Sequence, residues 1–387
     1  MLRDWRIPLL DCLLQQIRCS LVLGHSLRCD KWLASSSLQK CIRRGHVDLA
    51  LRAAATFSEI DPVGLWRRLI SIACEDIGAA DTQVVIETIA LATSPAWRSK
   101  HGETQLLANI VRRLAEASKD RSADLLMLAV RYHASLRGMR ETCGRVKLDR
   151  RLQLIADASA SLLDRAVAAW FSSGLDFRYE HIVGPGSLPG LAEAYRALGV
   201  SQELAEAALM AARRTREPFT ILVPLVRLEI ERSGVCTVRN VPTPDSPVVD
   251  GLPLCAIDEH TRPGKQAINR LVAEDTGLQA CLQCFVRKSR WTTAAQHATF
   301  YVDGAPVALR LDWPQSQSLE ALGMEGDLAN AEVPCDGAQT LVDAVNARLD
   351  RLNDIRREIW CNLRADPHYP YRHSFGERTH GDGTYLR

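Results

Sequence analysis

The chain is short of aromatic side chains, of net charge and of long apolar runs. Aromatic residues make up only 6% of its 387 residues, so its core must be built mainly from aliphatic side chains. Lysine and arginine number 48 against 46 acidic residues, and the resulting +2 is too small to mark a nucleic-acid binder by itself. No stretch approaches the roughly 20 apolar residues of a membrane-spanning helix, so no membrane partner is expected. Segment 1–27 is broken by Asp11 and Arg18 and has no small-residue cleavage site. An amphipathic helix through Leu9, Leu13 and Ile17 is expected there rather than a secretion signal. Gly-x-Ser-x-Gly, His-Glu-x-x-His and the paired deaminase motifs are absent. A phosphate-binding P-loop is excluded as well. The only Gly-Lys pair is Gly264-Lys265, with Glu259 where the first loop glycine belongs and Gln266 in place of Ser or Thr. No cofactor is implied.

Cysteine, by contrast, is plentiful: there are twelve, dispersed along the chain. Without a secretion signal they read as reduced, mostly buried thiols of a cytoplasmic protein. At 47% hydrophobic and 24% charged, the composition is that of a globular protein, long enough for two or three domains.

The most informative stretch is Ser36–Asp81. Ser36 and Gln39 have capping-box spacing, Leu38 and Ile42 share a helix face, and Gly45 suits a helix end. Asp48 opens a second helix. Asp61-Pro62 starts a third, apolar through Leu65, Trp66, Leu69, Ile70, Ile72, Ala73 and Ile77 and closed by Gly78. Asp81 caps a fourth, which stops at Ser94-Pro95. Short helices joined by tight turns make an α-hairpin array.

The order of residues there also resembles a known family. Leu38, Lys40, Ile42, Arg43, Gly45, Asp48, Ala50 and Leu51 come first, then Asp61-Pro62, then Arg67-Arg68-Leu69-Ile70. Ala73, Glu75-Asp76-Ile77-Gly78, Ala80 and Asp81 complete it. This is similar to the C-terminal helical region of the replication-associated recombination ATPases, which include the Werner helicase-interacting proteins and are related to clamp loaders. The likeness continues through Gly102-Glu103, Leu107, Leu114-Ala115 and Lys119 to Asp124, about the first third of the chain. It departs at Arg52 and Ala53, where the family carries aromatics, in a shortened segment before Asp61, and in the absence of the ATPase module. The resemblance implies a collar through which subunits assemble, without the motor.

Beyond it, two helices are expected between Glu103 and Leu136, then one long helix from Leu148 to Ser172. The connection between them is basic: Arg137, Arg140, Arg145, Lys147, Arg150 and Arg151 are candidates for phosphate contacts, with a solvated helix start as the plainer reading. The run 184–190, GPGSLPG, reads as a turn, and Ser201 caps a helix ending in Arg213, Arg214 and Arg216. From Val235 prolines and β-branched residues accumulate. A short strand is expected over Leu254–Ile257 and a hairpin over 297–313, with Asp303-Gly304 at its turn. A last helix is expected over Ala338–Leu363. The fold expectation is mainly α: a collar-like domain 1–137, a helical middle segment 138–234 and a small α+β domain 235–387.

The sharpest polar run is 258–265. Asp258 and His260 on one face of an extended segment would share a proton as catalytic residues, and Arg262 and Lys265 would hold an anion. The alternative is a capped turn. Cys281 and Cys284 with His297 mimic half a zinc site but read as buried helical thiols, and no metal is implied. His368, His373 and His380 read as a polar tail. The functional expectation is a non-enzymatic accessory factor in DNA replication, recombination or repair, acting as a homo-oligomer or on a protein partner, with DNA a further candidate partner. The alternatives are an enzyme acting on nucleic acid or nucleotide around Asp258 and His260, and a structural scaffold.

Overall fold

Apolar residues recurring every three or four positions become helices along almost the whole chain. The computed structural model describes residues 5–17, 22–175 and 184–369, and it is mainly helical with a few short strands. The chain divides into two units, each gathered from separate stretches. One comprises Met1–Val22, Trp66–Pro242 and Val307–Asn330; the other comprises Leu23–Leu65, Thr243–Pro306 and Ala331–Arg387. This differs from the three consecutive segments expected from sequence. Both expected boundaries, after 137 and after 234, fall inside Trp66–Pro242. The stretch 36–81 is divided as well, between Leu65 and Trp66.

Helix Pro62–Ile72, within which that division falls, runs into a π turn, Ala73–Ile77, which ends at Gly78 with φ of 52° in the first unit. Asp81 caps Thr82–Ala92 by accepting from the Val84 amide at 3.1 Å, as its position before the apolar run predicts. Helix Arg6–Gln16 buries Leu10 and Leu13. Helices Glu103–Glu116 and Ser122–Tyr132 follow as expected, and Ser122–Tyr132 is buried along nearly all its length. Helix Ser316–Asn330 packs on it through Gly323 and Gly326, at the Leu125 and Leu128 backbone. The Glu75-Asp76 pair faces Arg121, whose guanidinium lies 3.6 and 3.5 Å from the two carboxylates and 2.5 Å from Asp124. The Glu75-Asp76-Ile77 part of the run that carries the family resemblance is therefore buried in packing, while Asp48, Pro62 and Arg67 of the same run are exposed.

Several expected elements differ. Ser36 lies within helix Lys31–Arg43, whose cap is Asp30, accepting from the Trp32 and Leu33 amides. The long helix over 148–172 is two, Leu148–Ala156 and Leu162–Ser173; Asp157 bonds the Ser159 amide and Ser161 caps the second. The last helix is also two, Cys335–Asn346 and Leu349–Ala365. Leu254–Ala256 is a 3-10 turn rather than a strand. The hairpin does not form: Phe300–Gly304 is a π turn continuing helix Trp291–Thr299, and strand Arg310–Asp312 pairs with Thr237–Arg239 instead. The Asp303 carboxylate is buried against Arg356 at 2.5 Å, so it is not available to a solvent-facing turn. Within the run GPGSLPG, Ser187 caps helix Leu188–Ala197, whose first turn takes in Leu188, Pro189 and Gly190. His373 and His380 fall outside the described residues.

Lys119 is fully buried, and its ammonium donates to the carbonyls of Ala115 and Ala117 at the end of helix Glu103–Glu116. Burial lowers its pKa from 10.5 to about 8, against the opposing pull of Asp76 and Asp81. Between those two pH values the unfolded chain holds a proton that the folded chain has lost, so this group makes stability rise with pH across that window. In urea unfolding at pH 8 and pH 10, Lys119→Met is expected to lack this rise relative to the unsubstituted chain; identical pH responses would contradict it.

Candidate functional site

The segment after Cys255 is shaped by backbone bonds before any side chain acts. The Thr261 amide and hydroxyl both donate to the Asp258 carbonyl, at 3.0 and 2.9 Å. The same hydroxyl accepts from the Gly264 amide at 3.1 Å, capping helix Arg262–Glu274 with Pro263 in its first turn. A Cβ on Gly264 would stand 1.8 Å from the Asp258 carbonyl oxygen, so only glycine lets the turn close this tightly. The capped turn is what forms here.

That turn drives the Asp258 side chain inward. Its Oδ2 accepts from Lys40 Nζ at 2.6 Å and Ser36 Oγ at 2.7 Å, and Oδ1 accepts from the His260 amide at 3.0 Å. Lys40 and Asp258 are each 1% exposed, so this is a fully buried ion pair. Around it, Arg43 and Arg44 donate to the carbonyls of Gly304 and Asp303, both at 2.6 Å. The Phe300 ring lies against the Lys40 and Arg43 cations at 5.8 and 5.4 Å. Burial acts to raise the Asp258 pKa, but the Lys40 and His260 charges and the two side-chain hydrogen bonds outweigh it and hold the carboxyl well below its usual range.

His260 turns elsewhere. Its Nε2 lies 3.0 Å from Glu259 Oε1, and no hydrogen bond joins the side chains of Asp258 and His260. The expected catalytic pairing of those two is thus not formed, because Lys40 and Ser36 occupy the acceptors of Asp258. Glu259 is buried and His260 exposed. Burial acts to lower the His260 pKa, and the Glu259 and Asp258 carboxylates overcome it, leaving the imidazole raised. Arg262 and Lys265 are exposed on the first turns of the following helix and do not join the buried carboxylate.

The basic segment 137–151 separates into two kinds of residue. Arg140 is buried and donates to the carbonyls of Val130 and His133, closing helix Ser122–Tyr132. Arg151 is fully buried and donates to the Phe171 carbonyl at 2.7 Å. Neither faces solvent, so the six do not make one phosphate-binding surface. Arg137 pairs with Glu141 one turn on, and Arg150 bonds Gln153. Arg145 and Lys147 are exposed. Cys281 and Cys284 lie on helix Thr276–Phe285 as expected, but Cys284 is exposed and Cys281 partly so; His297 belongs to a different helix.

Sequence reading missed Lys40, Glu259, Asp303 and Arg356 as members of this cluster. The only local sign was a lysine amid the apolar residues of helix Lys31–Arg43. Set against family models, curated proteins and solved structures, the chain matches none.

Asp258→Asn leaves the Lys40 ammonium buried without its counter-charge, a change expected to cost about 3–5 kcal/mol. Urea unfolding measures it, and a loss under about 1 kcal/mol would show the pair to be energetically idle. The raised His260 pKa stabilises the fold fully below pH 6.5, and that contribution is lost as pH rises through the folded value. His260→Gln is therefore expected to flatten the fall in stability above pH 6.5.

Proposed function

We propose that this chain is an accessory factor in DNA replication, recombination or repair that works by self-association rather than by turnover at a catalytic centre. The resemblance of 36–81 to an assembly region supports this reading. The observation that carries it is the indole of Trp32, 52% exposed at the start of the helix that holds Lys40. Ile60 and Val63 are also exposed, and the approach of Lys31 to Asp61 at 4.0 Å places all three at one end of the helical hairpin. A large exposed indole beside two aliphatic residues is typical of the anchor of a protein interface. The occupant we favour is a second copy of this chain, since the resembled region is a collar between subunits. Arg137, Arg145, Lys147 and Arg150 are the exposed members of the basic segment that a DNA partner would meet.

A second reading, an enzyme acting on nucleic acid or nucleotide, draws on the buried Glu259 carboxylate beside the exposed His260 imidazole, an acid–base pair with one member open to solvent. Hydrolysis of a nucleotide or oligonucleotide that disappears in His260→Gln would favour it.

Light scattering of the full chain is expected to give a defined oligomer, and Trp32→Ala with Val63→Asp is expected to shift it to monomer while the helical circular dichroism stays unchanged. A monomer at micromolar concentration before substitution would remove the self-association reading. DNA retention at low salt that weakens in Arg145→Ala with Arg150→Ala would support the nucleic-acid part, and its absence would remove it.

A further inference from the structure

The unit that contains the Lys40–Asp258 pair carries another polar feature that shares no residue with it. Helix Thr276–Phe285 ends, Val286 and Arg287 are extended, and one 3-10 turn, Lys288–Arg290, leads into helix Trp291–Thr299. This corner borders an open surface cavity of about 640 Å³ whose lining includes Gln283, Phe285, Arg287, Lys288 and Trp291.

The charge at this corner is not explained by the fold. Arg287, Lys288 and Arg290 fall within four residues, just ahead of a helix whose first turn has no acidic residue. Cations there oppose the helix dipole. Glu332 lies 2.9 Å from Arg287 and 3.3 Å from Arg290. Among the described residues the Lys288 ammonium forms no ion pair, and it lies over the Trp291 ring, 5.8 Å from its centre. The indole is held in place, since its Nε1 donates to the Val286 carbonyl at 3.2 Å.

The Trp291 indole, the exposed cations Arg287 and Lys288 and the Gln283 amide border one open surface cavity. Together they match what a phosphate and an unstacked base require. A duplex keeps its base faces covered, so it has nothing to place on the indole. We propose that this cavity binds single-stranded nucleic acid, with Lys288 and Arg287 meeting phosphate and a base stacking on Trp291. The site does not depend on the self-association reading, and it is separate from Arg145 and Arg150.

The test is fluorescence anisotropy of a labelled oligo(dT) of about 15 nucleotides with the full chain, across roughly 50–200 mM salt. Binding is expected, with a duplex of the same length competing poorly. Trp291→Ala is expected to weaken binding about tenfold, while Trp291→Phe keeps most of it. Lys288→Ala is expected to flatten the slope of log K against log salt by about 0.7, the share of one phosphate contact on a single strand. Melting curves for Lys288→Ala, an exposed position, are expected to match the unsubstituted chain. No binding at the lowest salt overturns the proposal. So does unchanged binding in both Lys288→Ala and Trp291→Phe-to-Ala comparisons, equal affinity for duplex, or loss of binding only on substitution of Arg145 and Arg150. The oligomeric state, measured on the same samples, reports separately on self-association.

Discussion

One contact sets the terms for the unit that contains it: an ammonium and a carboxylate, Lys40 and Asp258, 2.6 Å apart and almost entirely removed from water. Desolvating two charges nearly cancels their attraction, so such a pair adds little net stability. Its effect is on alternatives. A helix Lys31–Arg43 shifted by one residue would leave both charges buried and alone, an arrangement several kcal/mol worse by the same reasoning, on the order of ~3–5 kcal/mol. Ser36 and the His260 amide complete the carboxylate's acceptors, and Arg43 and Arg44 on the same helix reach the carbonyls beside Asp303. The helix is positioned by polar groups of fixed partner, over an aliphatic core that would tolerate more than one register.

Several other buried cations follow a related rule. Helix ends leave carbonyls without amide partners. Arg140 closes one such end, Lys119 another, and Arg98 reaches the carbonyls of Leu91 and Ala92. A long cationic side chain brings several donors through an apolar layer to a site that water does not reach. Counting basic residues along 137–151 therefore overstated the charge available to a partner, because the chain uses part of it on its own backbone.

Helix starts were legible because their signals are local. Asp61-Pro62, Asp81 and Ser201 sit where their bonds are made, within three residues, whereas Ser187 caps a helix inside a run that read as a turn. The mainly helical architecture was legible for the same reason. What could not be read were breaks inside apolar periodicity, as at Asp157 and Ala347, where the pattern continues through the interruption. The Asp303-Gly304 hairpin failed because a long-range partner, Arg356, outweighs a two-residue turn preference. The candidate site was half legible. The turn at 258–264 announced itself through Thr261, Pro263 and Gly264, but the partner of Asp258 lies 218 residues away and leaves no mark near it. The pattern at Arg287–Trp291 was available in the sequence, and only the surface cavity distinguishes it from any other charged turn.

That separation has a bearing on how the protein is made. At about 5–20 residues per second, a ribosome that has completed the Lys40 helix needs roughly 10–40 s more to deliver Asp258, and longer to deliver Arg356. Throughout that interval the nascent chain holds Lys40 without the Asp258 carboxylate that receives it in the folded unit. The unit cannot close until the final helix clears the exit tunnel, so its early segments stand exposed to chaperones for most of translation.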